Sequence, residues 1–135
     1  MNSKQYQIPT SLLFLIIAIA IVNGLAETNS WYWIYRWFDM PMHFAGGMWL
    51  AGMAVWWVYF RGGDKSPRFI SLWGVSVLSA FSIGFFWEIF EAGVSFLTVG
   101  HMNNILDTLG DLLFDILGGT TIAVIMWVRA KLKTR

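Results

Sequence analysis

The segment Asp107-Thr-Leu-Gly-Asp111-Leu-Leu-Phe-Asp115 sets three carboxylates four residues apart in an otherwise apolar run. On an α-helix, positions i, i+4 and i+8 spread over only ~80° of the surface, so all three face one way. Two further patterns share this chemistry: Asp39 with His43, four residues on, and Glu88 with Glu91, three residues on. These seven residues, Asp39, His43, Glu88, Glu91, Asp107, Asp111 and Asp115, form a candidate ligand set for a divalent cation. One imidazole among carboxylates suits Mg²⁺, Mn²⁺, Ca²⁺ or Zn²⁺ better than a thiophilic metal. His43, Glu88 and Glu91 are the candidate catalytic groups, with His43 serving as ligand or general base. The spacing is not the Glu-x-x-His of four-helix di-iron proteins, since His43 follows Asp39 at i+4. The scattered Met and Trp residues read as lipid contacts and make no cofactor-binding motif, so beyond a divalent cation no cofactor is assigned.

The elements that must hold these groups are greasy ones. Of 135 residues, 57% are hydrophobic, 18% aromatic and only 13% charged, a usage that excludes an ordinary soluble domain and points to a membrane protein. The absence of cysteine excludes disulfides and thiolate metal sites. Four apolar segments stand out, about 9–26, 40–60, 69–97 and 106–128, each near or above the ~20 residues that cross ~30 Å of hydrocarbon. The expected fold is therefore all-α and integral to the membrane, a single domain over residues 1–135 with four transmembrane helices. Trp31 to Phe38 carries six aromatics in eight positions, the composition of a segment lying at the membrane surface in the first outer loop. Arg61 to Arg68 is a short polar turn broken by Gly and Pro.

Basic residues orient the chain. With the N-terminus inside, Lys4, Arg61, Lys65, Arg68, Arg129, Lys131, Lys133 and Arg135 fall on one side and Arg36 alone on the other. Both termini are thus expected to be cytoplasmic, in what reads as a bacterial cytoplasmic membrane. Lys4, the apolar run and Gly24-Leu25-Ala26 before Glu27 also fit a cleaved signal peptide; the reading taken is a retained first span. On this topology every acid except Asp64 lies on the outer side or in the outer membrane half.

Simpler roles compete for some of these residues. Asp39 and Asp107 stand where helix N-caps belong, worth about 1 kcal/mol, Glu27 reads as a surface loop residue, and His101 beside Asn103 and Asn104 reads as a solvated loop residue. His43, Glu88, Glu91, Asp111 and Asp115 have no such role, because an ionisable group in hydrocarbon costs several kcal/mol without a cavity and a partner. Arg36 cannot neutralise them all. That leaves a bound hard cation, protons held by carboxylates, or a cationic ligand. Gly46-Gly47, Gly52, Gly84, Gly93, Gly110 and Gly118-Gly119 read as close helix-packing positions.

The order Asp39-Met-Pro-Met-His43, Trp87-Glu-Ile-Phe-Glu91, then Asp107-Thr-Leu-Gly-Asp111-Leu-Leu-Phe-Asp115-Ile-Leu-Gly118 resembles the VanZ-like superfamily of small membrane proteins, and most of all its YjdF-like branch. The resemblance covers about residues 39–128. VanZ-like proteins are associated with resistance to teicoplanin, which acts outside the membrane on cell-wall precursors. This chain departs from the VanZ pattern in carrying Glu91 where Gln tends to stand and Asp115 where Asn does, so what the resemblance carries over is the polar constellation and not the resistance. Three functions follow as expectations. The first is a cation-dependent site, catalytic or binding, for a lipid-linked or envelope ligand. The second is a non-catalytic accessory or structural subunit that docks a membrane-protein partner, and the third is an ion or proton pathway. The lipid bilayer is the certain environment, no nucleic-acid partner is expected, and the glycine faces and broad aromatic surface leave room for a homo-oligomer.

Overall fold

The computed structural model describes residues 8–61, 67–99 and 104–133. Its elements are α1 (Thr10–Thr28), α2 (Trp31–Ile34), α3 (Asp39–Val55), α4 (Phe69–Val99) and α5 (Ile105–Lys133), with no strand among the described residues. Lys4, Asp64, Lys65, His101, Asn103 and Arg135, which entered the charge and loop readings, lie outside the described residues. Three helices, α1, α4 and α5, are long and apolar enough to cross a membrane. The 17 residues of α3 run without a break into a π-helical turn of 5 residues, Trp56–Phe60. That turn is closed by the Arg61 N–H, which donates to the Trp56 carbonyl at 2.8 Å, and the Arg61 guanidinium lies 3.9 Å above the Trp57 ring.

Several boundaries move from their expected places for local reasons. The first helix continues past Ala26 to Thr28, because the Thr28 hydroxyl donates to the Gly24 carbonyl and the Asn29 amide donates to that of Leu25, closing the last turn. Ser30 then takes a left-handed conformation, φ 58°, and reverses the chain into α2. The aromatic stretch folds on itself, with Trp31 and Tyr32 meeting the Phe38 ring edge-on at 5.4 and 5.3 Å while Trp33 and Trp37 stay exposed. At the other terminus α5 runs beyond Val128 to Lys133, where Ala130, Lys131 and Leu132 are good helix formers and a cation complements the helix dipole.

Packing is organised around α5, which lies between α3 and α4. Its Gly118-Gly119 pair serves both neighbours. A Cβ on Gly118 would overlap the Phe44 carbonyl and the Met48 nitrogen of α3, and one on Gly119 would press on the Ser76 carbonyl and Ala80 of α4. Gly47 answers from α3, where a Cβ would overlap the Asp115 backbone. Below this crossing the core is apolar, with Val55 of α3, Trp56 of the π-helical turn, Leu72 and Ala80 of α4, and Ile122 and Ala123 of α5 buried. Trp73 adds a hydrogen bond from its indole N–H to Thr120 Oγ1 at 3.2 Å, joining α4 to α5. The first helix is more loosely held. It leans on α3, where Leu12 fills the notch left by Gly52, and most of its other apolar side chains are exposed.

Because side chains cannot be admitted where backbones touch, Gly118→Ala should destabilise the protein by about 1–3 kcal/mol, the usual cost of overpacking. A thermal melt in detergent would show it as a clear drop in midpoint. Gly74, whose added Cβ would meet nothing within 4 Å, should tolerate Ala without loss.

Candidate metal centre

Two of the acids were candidates for helix caps, and the structure gives the capping positions to other residues. Phe38 stands at the N-cap of α3 with no side-chain cap bond, and Asp39 falls inside the first turn. On α5 it is Asn104 that caps, its Oδ1 accepting from the Leu106 N–H at 3.1 Å, while Asp107 lies in the first turn. Both carboxylates still gain from the helix dipole. Neither is used up by a cap bond, and both line the cavity described next.

A cavity of about 940 Å³ is enclosed by the C-terminal half of α1, the α2 turn, the N-terminal half of α3, the C-terminal half of α4 and the N-terminal part of α5. All seven candidate residues line it, as does Glu27. Seven of the chain's 8 acidic residues therefore surround one space, and no Lys or Arg among the described residues lines it. Glu27 belongs to the last turn of α1 and is part of this wall, where the sequence reading had put it in a loop.

His43 lies at the centre of the group and is buried. Its Nδ1 is 3.2 Å from Asp115 Oδ2. Where Nδ1 carries the ring proton it donates to Asp115, and this is the tautomer that leaves Nε2 free to ligate. The lone pair then sits on Nε2, which faces Glu88 Oε1 at 3.6 Å and Asp39 Oδ1 at 3.8 Å. These separations are too long for hydrogen bonds. They suit ligand atoms around one cation, since two ligands each ~2.1–2.4 Å from a metal lie no more than ~4.8 Å apart. Two such triplets occur, each with its ligand atoms within 4.8 Å of one another: His43 with Glu88 and Asp111, all buried, and His43 with Asp39 and Glu91, nearer the rim. Asp107 is exposed and belongs to neither triplet, and Asp115 occupies the far side of the imidazole. A carboxylate oriented this way fixes the tautomer of a ligating histidine and raises its basicity.

The space for Asp115 is itself built by a neighbour. A Cβ on Gly84 of α4 would overlap the Asp115 carboxylate, so the glycine leaves room for this side chain where it meets His43. Around the rim the cavity gains groups that the sequence reading passed over, notably Asn23, Ser30, Tyr32, Ser95, Thr98 and Thr108. An amide near the C-terminal end of the first apolar run was the available signal for Asn23. The Tyr32 hydroxyl donates to Asn23 Oδ1 at 2.6 Å. Burial, followed by the fields of Asp39, Glu27 and Glu91, pushes its phenol up to about 12, so it remains a protonated donor facing an acidic space.

Two buried oxygens decide what the arrangement needs. Glu88 Oε1 and Asp111 Oδ1 have no hydrogen-bond partner, although Glu88 is only 4% exposed and Asp111 3%. With an effective dielectric of about 20, two ionised groups ~4.8 Å apart repel by about 3 kcal/mol. A protonated His43 could offset only one such charge. Neutralising the cluster would therefore take protons or an added cation. Glu88→Gln removes one of the crowded charges, so in chelator it should raise the melting midpoint above wild type, and with divalent cation it should show a smaller upward shift than wild type. A lower midpoint in both conditions would mean that Glu88 supports the fold and not a charge-sharing site.

No curated protein and no solved structure matches the chain. A family described as "Predicted membrane protein (DUF2238)" matches residues 2–132, nearly the whole length. With its long apolar helices and an acidic cavity near one end of the helices, the chain belongs to this family of membrane proteins.

Proposed function

We propose that the cavity is a divalent-cation site that opens on the outer leaflet and binds, or acts on, a lipid-linked or envelope ligand. The observation that carries this reading is the convergence of His43, Glu88 and Asp111, all buried with ligand atoms within 4.8 Å of one another, at a place where Glu88 Oε1 and Asp111 Oδ1 have no hydrogen-bond partner. In this reading His43, Glu88 and Asp111 hold the cation, Asp39 and Glu91 complete its shell from the rim, and Asp115 orients the imidazole. Asp107 then serves the mouth of the cavity. A bare ring of carboxylates repels a phosphate, so the cation is what makes an anionic headgroup welcome. Oxygen-rich ligation with one nitrogen favours Mg²⁺, Mn²⁺ or Ca²⁺, with Zn²⁺ also accommodated.

Four spans complete the reading. The unbroken helical run 39–60 supplies the fourth, long enough at ~1.5 Å per residue to cross ~30 Å. Arg61, Arg68 and Arg129 lie at the helix ends away from the cavity, which supports cytoplasmic termini and an outward mouth. The order of the polar motifs on α3, α4 and α5 supports kinship with VanZ-like proteins. A through-channel is disfavoured, because no Asp, Glu, His, Lys or Arg occurs between Phe44 and Phe60, Phe69 and Trp87, or Ile116 and Val128.

Elemental analysis of the purified protein, joined to melts with and without chelator, tests the cation. The expected result is stoichiometric divalent metal whose removal lowers the midpoint by several degrees. Asp111→Asn should weaken its affinity at least tenfold, and Asp115→Asn by about 10–100-fold, the range for partners of a ligating histidine. Arg68→Ala should leave affinity unchanged. Metal-free protein that is indifferent to chelator would sink this reading and favour an accessory subunit.

A further inference from the structure

The cavity has two kinds of wall. Its acids are contributed mainly by α3, α4 and α5, whereas one side is formed by α1, whose Ile16, Ile19, Ala20 and Asn23 recur at helical spacing on a single face. The same cavity is lined from α4 by Ile83, Phe90 and Val94. The first helix rests on α3 and the α2 turn and makes at most marginal contact with α4. Between α1 and α4 there is thus an apolar cleft that continues directly into the acidic floor. From Ile16 to Glu27 it follows α1 for about 16 Å at 1.5 Å per residue. Because α1 and α4 are both of membrane-crossing length and apolarity, the cleft faces hydrocarbon, where water has no partners and lipid chains are the solvent.

We infer that this cleft is the acyl-chain subsite of the cavity, and that its ligand is a phosphate-headed membrane lipid seated with its chain between α1 and α4 and its headgroup at the His43, Glu88 and Asp111 cluster. The inference rests on the cation reading above, since only a cation joins the phosphate to the carboxylates. It adds the ligand's class, its direction of approach and the residues that measure it. A water-soluble phosphate would leave the apolar wall unused, and a neutral lipid would leave the charged floor unused. The polar rim of Asn23, Tyr32 and Ser30 lies where the remaining headgroup groups would be met. Ala20 is a small residue on this lining face of α1, beside Ile16 and Ile19, where a larger side chain would project into the cleft.

The test uses the full chain in detergent, loaded with Mn²⁺ and titrated with dioctanoyl phosphatidic acid or with inorganic phosphate. The Mn²⁺ resonance reports both metal occupancy and headgroup arrival. Wild type should respond saturably to the lipid and at least tenfold more weakly to inorganic phosphate. Ala20→Trp should keep its Mn²⁺ and lose at least tenfold in lipid affinity, while Ile17→Trp, on the exposed side of the same helix, should match wild type. Equal affinities for lipid and phosphate, or unchanged lipid affinity in Ala20→Trp with Mn²⁺ retained, would overturn the subsite and leave the cation reading standing. Failure of wild type to bind Mn²⁺ would overturn both. Retention of Mn²⁺ by Ala20→Trp separates a filled cleft from a misfolded protein.

Discussion

The close approach of α3 and α5 is the constraint from which the rest of the structure follows. Gly47 and Gly118 allow the two backbones to touch, and that contact fixes the register of the helices to within a side chain. Asp115 is three residues before Gly118, and His43 four before Gly47, so the register that joins the glycines also sets Asp115 beside the imidazole. Dispersion forces and shape do this work, since inside a bilayer apolar side chains gain nothing by leaving lipid for protein. Gly119 and Gly84 repeat the device toward α4, the first admitting its backbone and the second admitting the Asp115 carboxylate. Small residues thus act here as positioning elements for charged ones.

Polarity is distributed lengthwise. The half of the bundle holding Leu72, Val55 and Ile122 is packed and apolar, whereas the half holding His43, Glu88 and Asp111 is hollow. The tight half secures helix register, and the open half can then keep like charges together without collapsing on them. An acidic cluster in a flexible soluble protein would disperse its charges into water. Here the packed helices hold the carboxylates together, and a cation or protons would relieve their crowding.

Much of this was legible in the chain. Length and hydropathy disclose the apolar helices, and the recurrence of acids at three- and four-residue spacing brings the same side chains to shared helix faces. Three things were not legible. Spacing shows that Asp115 shares a face with Asp111, but only the packed register shows that it meets His43 from the opposite side of the ring. Glycine content suggests close approach without telling which glycine faces which helix. The wall supplied by α1 could not be read because its Ile and Ala residues are compositionally identical to lipid-facing ones; Asn23 and Glu27 were its chemical clues. The caps of α3 and α5 were displaced by one to three residues, the ordinary uncertainty of helix ends, and here it decided whether Asp39 and Asp107 were occupied by a backbone amide or left for the cavity.

The three aspartates of α5 bear on how the protein is made. Asp115 lies ten residues into the helix, about 15 Å from its start, and a carboxylate near the bilayer centre costs about 2.5–3.5 kcal/mol during insertion. Synthesised after α3 and α4, α5 arrives when their glycine notches and His43 are already present. Its entry into the bilayer is then helped by docking onto a prepared surface, so the segment richest in ligands becomes the one whose biogenesis depends most on its neighbours.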